Sequence, residues 1–204
     1  RAGVLGDPWS KTLKPVRPDS VIVRHTVGLA DLLSYDEPGD RPYDGLPATL
    51  QACIQRYGLT HFKLKLSGQI DADRDRLTRI AAVLDADAGD YRVTLDGNET
   101  FTDAATLGDF WQELTRQKAL TNLLARTLLL EQPLARRVAL DQSVSGLGIH
   151  VPVILDESDD HPDVLERGLA LGYRGISSKA CKGIYRSLHS AARIAQQPGH
   201  LILS

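Results

Sequence analysis

Three carboxylates stand at the ends of successive predicted strands. Asp96 ends the segment YRVTLD, Glu131 ends ARTLLLE and Asp156 ends VPVILD. Carboxylates brought to one rim of a sheet repel one another, which raises their pKa values unless a cation neutralises them. Mg2+ is a hard cation that prefers such oxygen ligands. We therefore predict a Mg2+ site made by Asp96, Glu131 and Asp156.

Each of these motifs has a simpler explanation when it is taken alone. Asp-Gly-Asn at 96–98 is typical of a turn, Glu-Gln-Pro at 131–133 of a strand end before a helix, and Asp-Glu-Ser at 156–158 of a helix cap. Their repetition at equivalent places in successive units is what favours the metal site.

Lys63 and Lys65 in the segment FKLKL are two residues apart, so both side chains point to the same side of a strand. Two ammonium groups facing inward would be costly unless anions lie near them, and the carboxylates would supply these. Repulsion from Lys63 would favour the neutral form of Lys65, which suits Lys65 to act as a base. The simpler alternative is an edge strand with a solvated polar face.

Lys179 ends the strand that follows Asp156, across the predicted rim from Lys65. Taken alone it would be interpreted as a surface lysine. With a base on each side of a metal-bound carboxylate, however, such a site can remove the proton next to that carboxylate. The metal and the lysines would stabilise the enediolate that results.

The elements that position these residues alternate along the chain. Strands are predicted at 21–27, 61–66, 91–96, 125–131, 151–156, 173–179 and 200–204. Helices are predicted at 46–57, 71–86, 103–122, 136–145, 162–171 and 184–196. Short apolar strands that are each followed by a helix indicate an α/β fold with a parallel sheet and right-handed crossovers.

This alternation fits either an open doubly wound sheet or a (β/α)8 barrel. Polar residues at the ends of successive strands favour the barrel. An open-sheet nucleotide enzyme is set aside because the sequence has neither G-x-G-x-x-G nor a P-loop. From position 21 onward there is room for six complete units and the start of a seventh, so the predicted TIM-type barrel is incomplete.

The composition of the chain argues against nucleic acid and membranes as partners. The 24 Lys+Arg and 26 Asp+Glu leave no basic excess, so nucleic acid is not expected as a partner. Two cysteines are too few for a disulfide framework, and the sequence shows no export signal and no membrane span. We therefore predict a cytoplasmic protein with no membrane partner. The chain has no methionine and starts with Arg1, so we expect it to derive from a longer protein.

From about Val21 onward the chain resembles the enolase superfamily, in particular muconate lactonizing enzymes (muconate cycloisomerases) and mandelate racemase-like proteins. The residues that carry the resemblance are Lys63-x-Lys65, Asp96-x-Asn98, Glu131-Gln132-Pro133, Asp156-Glu157-Ser158 and Lys179 followed by Lys182-Gly183. The order and spacing of the set make it specific. Gly97, inside the Asp-x-Asn motif, and the residues around Lys179 depart from the family pattern in small ways.

The resemblance implies a modified (β/α)7β barrel that binds Mg2+ through the three carboxylates. It also implies that Lys65 and Lys179 are the two acid/base catalysts, with Lys63 assisting Lys65. Asn98 and Glu157 are implied to support these groups from the surrounding layer. A lysine on the sixth strand points to the muconate-like subgroup rather than to mandelate racemase itself.

Members of the superfamily also carry an N-terminal α+β capping domain and an eighth strand, and neither is recognised here. We therefore expect 1–20 to be a linker or remnant and 21–204 to be a partial barrel without the capping domain. We expect the fragment alone to be poorly stable and inactive, and the full-length protein to form a homo-oligomer.

The implied activity is that of an isomerase or lyase acting on a small carboxylate. Racemisation or epimerisation, cycloisomerisation and acid-sugar dehydration all begin with the same proton removal. The alternative is a non-catalytic barrel fragment that binds a metal or another subunit. His25, at the end of the first strand, could touch a substrate, although a structural role is the favoured interpretation.

Overall fold

The computed structural model describes residues 19–41, 44–196 and 201–204 of the 204-residue chain. Almost all of the predicted linker at 1–20 lies outside these ranges. The strands are β1 (Arg24–Val27), β2 (His61–Lys65), β3 (Arg92–Asp96), β4 (Thr127–Glu131), β5 (Val153–Ile154), β6 (Gly175–Ile176) and β7 (Ile202–Leu203). The α-helices are α1 (Leu50–Tyr57), α2 (Ile70–Asp87), α3 (Ala104–Arg116), α4 (Thr121–Ala125), α5 (Arg136–Ala139), α6 (Val164–Ala170) and α7 (Ile184–Ala195).

The strands are parallel and follow one another in chain order. β1 to β5 form one sheet, and β6 and β7 form a second parallel pair. A bridge between Leu155 and Ile176 joins β5 to β6. At the other end of the series, Arg24 Nη1 donates to Ser204 Oγ at 3.1 Å. The predicted α/β fold with a parallel sheet is confirmed, while closure of the sheet into a barrel is not shown by the described residues.

The period-2 alternation of β2 separates an apolar from a polar face. Phe62 and Leu64 are completely buried, whereas Lys63 and Lys65 are partly accessible. The apolar set belongs to a core that α2 and α3 complete with Leu77, Ile80, Ala81, Leu84, Leu107, Phe110, Trp111 and Leu114. Burying one large apolar side chain stabilises the fold by about 1.5–3 kcal/mol, and this gain fixes which face of β2 packs against the helices. The lysines therefore face the other side of the sheet.

Local signals in the sequence fix where the helices begin and end. Thr49 Oγ1 accepts from Ala52 N at 3.1 Å at the start of α1, and Asp103 Oδ1 accepts from Thr106 N at 2.8 Å at the start of α3. Gly58, with a φ of 60°, ends α1 in the left-handed conformation that glycine adopts without strain. α3 therefore begins one residue after its predicted start, whereas α1 begins at Leu50, four residues after its predicted start at position 46.

Two predicted helices end several residues early in the structure. The helix predicted at 103–122 stops at Arg116 because Gln117 is extended, and a 3-10 turn at Lys118–Leu120 precedes α4. The helix predicted at 136–145 ends at Ala139. Val144 N donates instead to Leu171 O at 2.9 Å, which turns the chain toward the loop after α6.

The two cysteines and the lengths of the described helices can be compared with the sequence predictions. Cys53 is buried and Cys181 is exposed, and both are free thiols. Of the helices within residues 19–41, 44–196 and 201–204, none is both long and apolar enough to cross a membrane.

Candidate active site

The strand register brings the predicted carboxylates to one edge of the sheet. Asp96 of β3 pairs with Lys65 of β2 on one side and with Glu131 of β4 on the other. Glu131 in turn pairs with Ile154 of β5, and Asp156 follows two residues later. The three carboxylate side chains are at most 1% exposed. Parallel strands thus deliver them to the same buried edge, as predicted from their strand-end positions.

Lys63 lies between two of these carboxylates. Its Nζ is 2.8 Å from Asp96 Oδ2 and 2.8 Å from Glu131 Oε2. Burial alone would lower the pKa of Lys63, but the two carboxylates outweigh burial and raise that pKa. Because β2 lies between β1 and β3, the alternative of a solvated edge strand is wrong.

Lys65 contacts Asp96 from the outer side of the site. Its Nζ donates to Asp96 Oδ2 at 2.7 Å and to Asn98 Oδ1 at 2.6 Å. Asn98 Nδ2 donates to Glu157 Oε1 at 3.0 Å, and Asn98 N donates to Asp96 Oδ1 at 3.1 Å. Asn98 and Glu157 therefore contact each other, and Asn98 ties Glu157 to Lys65.

Asp156 is flanked by two lysines. Lys179 Nζ donates to Oδ2, and Lys182 Nζ lies 2.8 Å from Oδ1 and also donates to the Asp156 carbonyl. Burial would raise the pKa of Asp156, but the ammonium groups prevail and lower it to about 2. Burial would likewise lower the pKa of Lys179, whereas the nearby Asp156 raises it. Both groups are held in their charged forms.

Glu131 is the least satisfied of the three carboxylates. Both of its oxygens are buried and accept no hydrogen bond, and the contact of Oε2 with Lys63 Nζ at 2.8 Å is an ion pair. Burial raises the pKa of Glu131. Lys63 opposes that rise, and the nearby Asp96 and Asp156 reinforce it. A buried carboxylate without hydrogen bonds is costly unless another positive group compensates it.

These donors fit a hard cation in their chemistry. Asp96, Glu131 and Asp156 offer buried carboxylate oxygens, and those of Glu131 have no hydrogen-bond partner. In the part of the chain that the structure describes, however, no group of three His, Cys, Asp or Glu side chains is arranged to hold a metal ion. The carboxylates are engaged by ammonium groups.

Exposure divides the lysines of the site into two pairs. The side chains of Lys65 and Lys179 are 27% and 41% exposed, whereas those of Lys63 and Lys182 are 13% and 17% exposed. The accessible pair lies on opposite sides of the carboxylates, with Lys65 on β2 and Lys179 three residues after β6, which is shorter than the strand predicted at 173–179. The site can therefore present an ammonium or amine group to a small molecule from two sides.

His25 lies apart from these residues. It pairs with Phe62, so it shares the face of Phe62 rather than that of Lys63, and its ring is edge-on to Phe62 with centroids 6.4 Å apart. This geometry matches the structural role that the sequence favoured.

Two residues in contact with Asp156 were not assigned roles from the sequence. Lys182 is three residues after Lys179, and the 3-10 turn at Ala180–Lys182 lets both ammonium groups reach one carboxylate. Gln132 follows Glu131 directly and is completely buried. The lysine spacing and a polar residue next to a strand-ending carboxylate were the available signals.

Comparisons with known proteins found relatives among solved structures. No protein-family model and no curated protein matched the chain. A mandelate racemase/muconate lactonizing protein from Herpetosiphon aurantiacus is 25% identical, with a TM-score of 0.58 over 74% of this chain and 40% of its own. Muconate cycloisomerase from Pseudomonas fluorescens is 22% identical, with a TM-score of 0.54 over 74% of this chain and 39% of its own. Muconate lactonizing enzyme from Klebsiella pneumoniae is 23% identical, with a TM-score of 0.50 over 68% of this chain and 37% of its own.

These matches confirm the resemblance to mandelate racemase/muconate lactonizing proteins of the enolase superfamily. Identities below 25% show a shared fold, and the first match adds a modest likeness in sequence. The chain spans about 40% of the length of the first of these proteins.

Proposed function

We propose that the full-length protein is a Mg2+-dependent enzyme that removes the α-proton of a small carboxylate, with Lys65 and Lys179 as its acid and base. The observation that carries the proposal is the placement of these two lysines. They are the more exposed of the four lysines of the site and lie on opposite sides of three buried carboxylates. The structural likeness to mandelate racemase/muconate lactonizing proteins supports the same general kind of reaction.

Asp96, Glu131 and Asp156 would hold the metal ion. Bound Mg2+ would supply positive charge that stabilises the negative charge developing on the carboxylate oxygens of the substrate. Lys63, held between Asp96 and Glu131, keeps these two carboxylates close together and adds positive charge beside them.

The neighbours of the two lysines orient them on either side of the carboxylates. Lys179 is held as an ammonium because Asp156 raises its pKa, so it would donate a proton in one direction of the reaction and accept one in the reverse direction. Lys65 acts as the proton acceptor on the other side, and Asn98 Oδ1 fixes the direction of its Nζ at 2.6 Å. Glu157 in turn fixes the Asn98 amide at 3.0 Å.

The proposed reaction class is an isomerase or lyase reaction. Racemisation or epimerisation, cycloisomerisation and dehydration share the proton removal and differ in the fate of the carbanionic product. We propose a small carboxylate as the substrate, a homo-oligomer as the active form and the cytoplasm as the location.

Exchange of the substrate α-proton with deuterium tests the proposal without knowledge of the final product. The full-length protein is incubated in D2O with a panel of carboxylates, with Mg2+ or with a chelator. We expect exchange on at least one carboxylate, with Mg2+ required. Lys118→Ala is the matched control for substitution of Lys65 or Lys179, because Lys118 is exposed and lies in the turn after α3, away from the strand ends.

A second candidate function is a non-catalytic scaffold that binds a metal or another subunit. The carboxylates form ion pairs with Lys63, Lys65, Lys179 and Lys182. These ion pairs favour the scaffold, because ion pairs at strand ends can have a purely structural role that requires no catalysis. A full-length protein that binds Mg2+ but exchanges no α-proton would support the scaffold and contradict the enzyme.

A further inference from the structure

Gln132 is a buried polar residue that the proposed reaction does not use. It directly follows Glu131, is completely buried, and has a φ of 34°. Its side-chain Nε2 donates to Leu134 O at 2.8 Å and to Ser158 Oγ at 2.7 Å. Its Oε1 accepts from Asp156 N at 2.8 Å and from Ser158 N at 3.2 Å. The amide thus makes four hydrogen bonds, three of them to the turn that carries Asp156.

The backbone of Gln132 explains why a side chain is needed there. The ladder between β4 and β5 continues up to Gln132 N, which donates to Ile154 O at 2.8 Å. In a parallel ladder the carbonyl of the same residue would next accept from Asp156 N. The positive φ turns that carbonyl away, and it accepts from Glu99 N at 2.9 Å instead. The side-chain carbonyl takes its place toward Asp156.

We propose that Gln132 is a positioning residue that joins the ends of β3, β4 and β5 and thereby sets the placement of Asp156 relative to Glu131. This inference rests on the proposed function, because it explains how two proposed metal ligands are held in place. The main-chain carbonyl of Gln132 accepts from the N–H of Glu99, three residues after Asp96, and its side-chain oxygen accepts from the N–H of Asp156.

The chemistry of the site calls for an amide at this position. Glutamate would retain an acceptor for the N–H groups of Asp156 and Ser158, but an ionised carboxylate has no hydrogen to donate to Leu134 O and Ser158 Oγ. It would also add a fourth buried negative charge beside Glu131 and Asp156. Alanine would remove the acceptor and both donors.

The first experiment measures amide hydrogen exchange in the full-length protein without added metal. We expect Gln132→Ala to speed exchange at Asp156 and Ser158 by about 10-fold or more, since both amides lose their acceptor and open locally. Gln132→Gly separates this effect from backbone strain, because glycine adopts a positive φ readily. It should behave like Gln132→Ala. Gln132→Glu should retain most of the protection at Asp156.

Thr127→Val is the matched control. Thr127 lies at the other end of β4, is buried, and donates through Oγ1 to Leu123 O at 2.9 Å. Its replacement removes a buried hydrogen bond of the same strand without touching Asp156. Exchange at Asp156 and Ser158 should therefore stay at the wild-type rate. Unchanged exchange at these amides in both Gln132→Ala and Gln132→Gly would overturn the proposal.

The second experiment titrates the same proteins with Mn2+, followed by the loss of the free-ion electron spin resonance signal. We expect Gln132→Ala to weaken Mn2+ binding by about 10- to 100-fold, as is usual for residues that orient metal ligands, and Thr127→Val to leave it unchanged. If wild type binds Mn2+ and Gln132→Ala binds it equally tightly, the positioning role of Gln132 is overturned while the proposed metal site stands. A wild type that binds no Mn2+ would contradict the metal site of the proposed function as well.

Discussion

Asp96 and Glu131 are directly paired residues of two neighbouring parallel strands, and both side chains are completely buried. Two ionised carboxylates in this arrangement repel each other in surroundings that screen charge poorly. Lys63 lies 2.8 Å from an oxygen of each, but it does not satisfy the oxygens of Glu131 with hydrogen bonds. The stability of this edge of the sheet therefore depends on the charge of each group.

Replacing Glu131 by glutamine should stabilise the metal-free protein at neutral pH. The pKa of Glu131 is raised above 4.5. Its favourable contribution is therefore present below that value and is lost as pH rises through the folded-state pKa. Glu131→Gln removes the charge that is costly at neutral pH. Urea unfolding with a chelator should show a higher midpoint than wild type, with the difference shrinking toward acid pH. A lower midpoint at neutral pH would contradict this account.

Asp156→Asn should have the opposite effect on the same measurement. The pKa of Asp156 falls from 3.8 to about 2 because Lys179 and Lys182 favour its ionised form. Its stabilising contribution is therefore complete above 3.8 and is lost as pH falls through about 2. The variant should unfold at a lower urea concentration than wild type at neutral pH, and the two proteins should converge in strong acid. Equal midpoints at neutral pH would show that the ion pairs of Asp156 do not stabilise the fold.

Lys63→Met should strongly destabilise the protein in the absence of metal. The change leaves Asp96 and Glu131 paired without their shared ammonium, and loss of one partner from a buried ion pair costs about 3 kcal/mol or more. Added Mg2+ should restore more stability to the variant than to wild type, because the ion would replace the missing positive charge. Thermal unfolding with and without Mg2+ measures both effects. A variant that loses stability but gains no more from Mg2+ than wild type would contradict binding of the ion beside these carboxylates.

Gly97→Ala should push the ends of β3 and β4 apart. A methyl group on Gly97 would lie 2.5 Å from Pro133 Cα, and the backbone there cannot yield as a flexible side chain could. We expect a loss of about 2 kcal/mol in the free energy of unfolding. Gly108→Ala is the contrasting variant. Gly108 lies inside α3, and its added methyl would be 3.5 Å from Leu147 Cδ2, an ordinary contact distance. It should be neutral or stabilise by up to about 1 kcal/mol. Equal effects of the two substitutions would argue against close packing of the strand ends.

The positions of the main site residues could be predicted because they follow from strand periodicity. Asp96, Glu131 and Asp156 each end a short apolar run, and a parallel register brings such ends together. Alternation alone does not predict which face of β2 is buried, the face of Lys63 and Lys65 or that of Phe62 and Leu64. Packing of Phe62 and Leu64 against the helices decides it.

The remaining contacts depend on turns, which periodicity does not encode. The positive φ of Gln132, the 3-10 turn before Lys182 and the extended Gln117 that ends α3 are single-residue features. They reflect tertiary hydrogen bonds made by particular atoms. The resemblance to a known family pointed to these segments but did not say what their side chains contact.

If Lys65 and Lys179 serve opposite faces of one substrate carbon, each lysine should exchange the α-proton of one enantiomer. Exchange in D2O is therefore followed separately from the two enantiomers of a carboxylate that the full-length protein processes. We expect wild type and Lys118→Ala to exchange both enantiomers. Lys65→Ala should lose exchange of one enantiomer and Lys179→Ala of the other, each by about 100-fold or more. Variants that both retain exchange of both enantiomers at the wild-type rate would contradict the account.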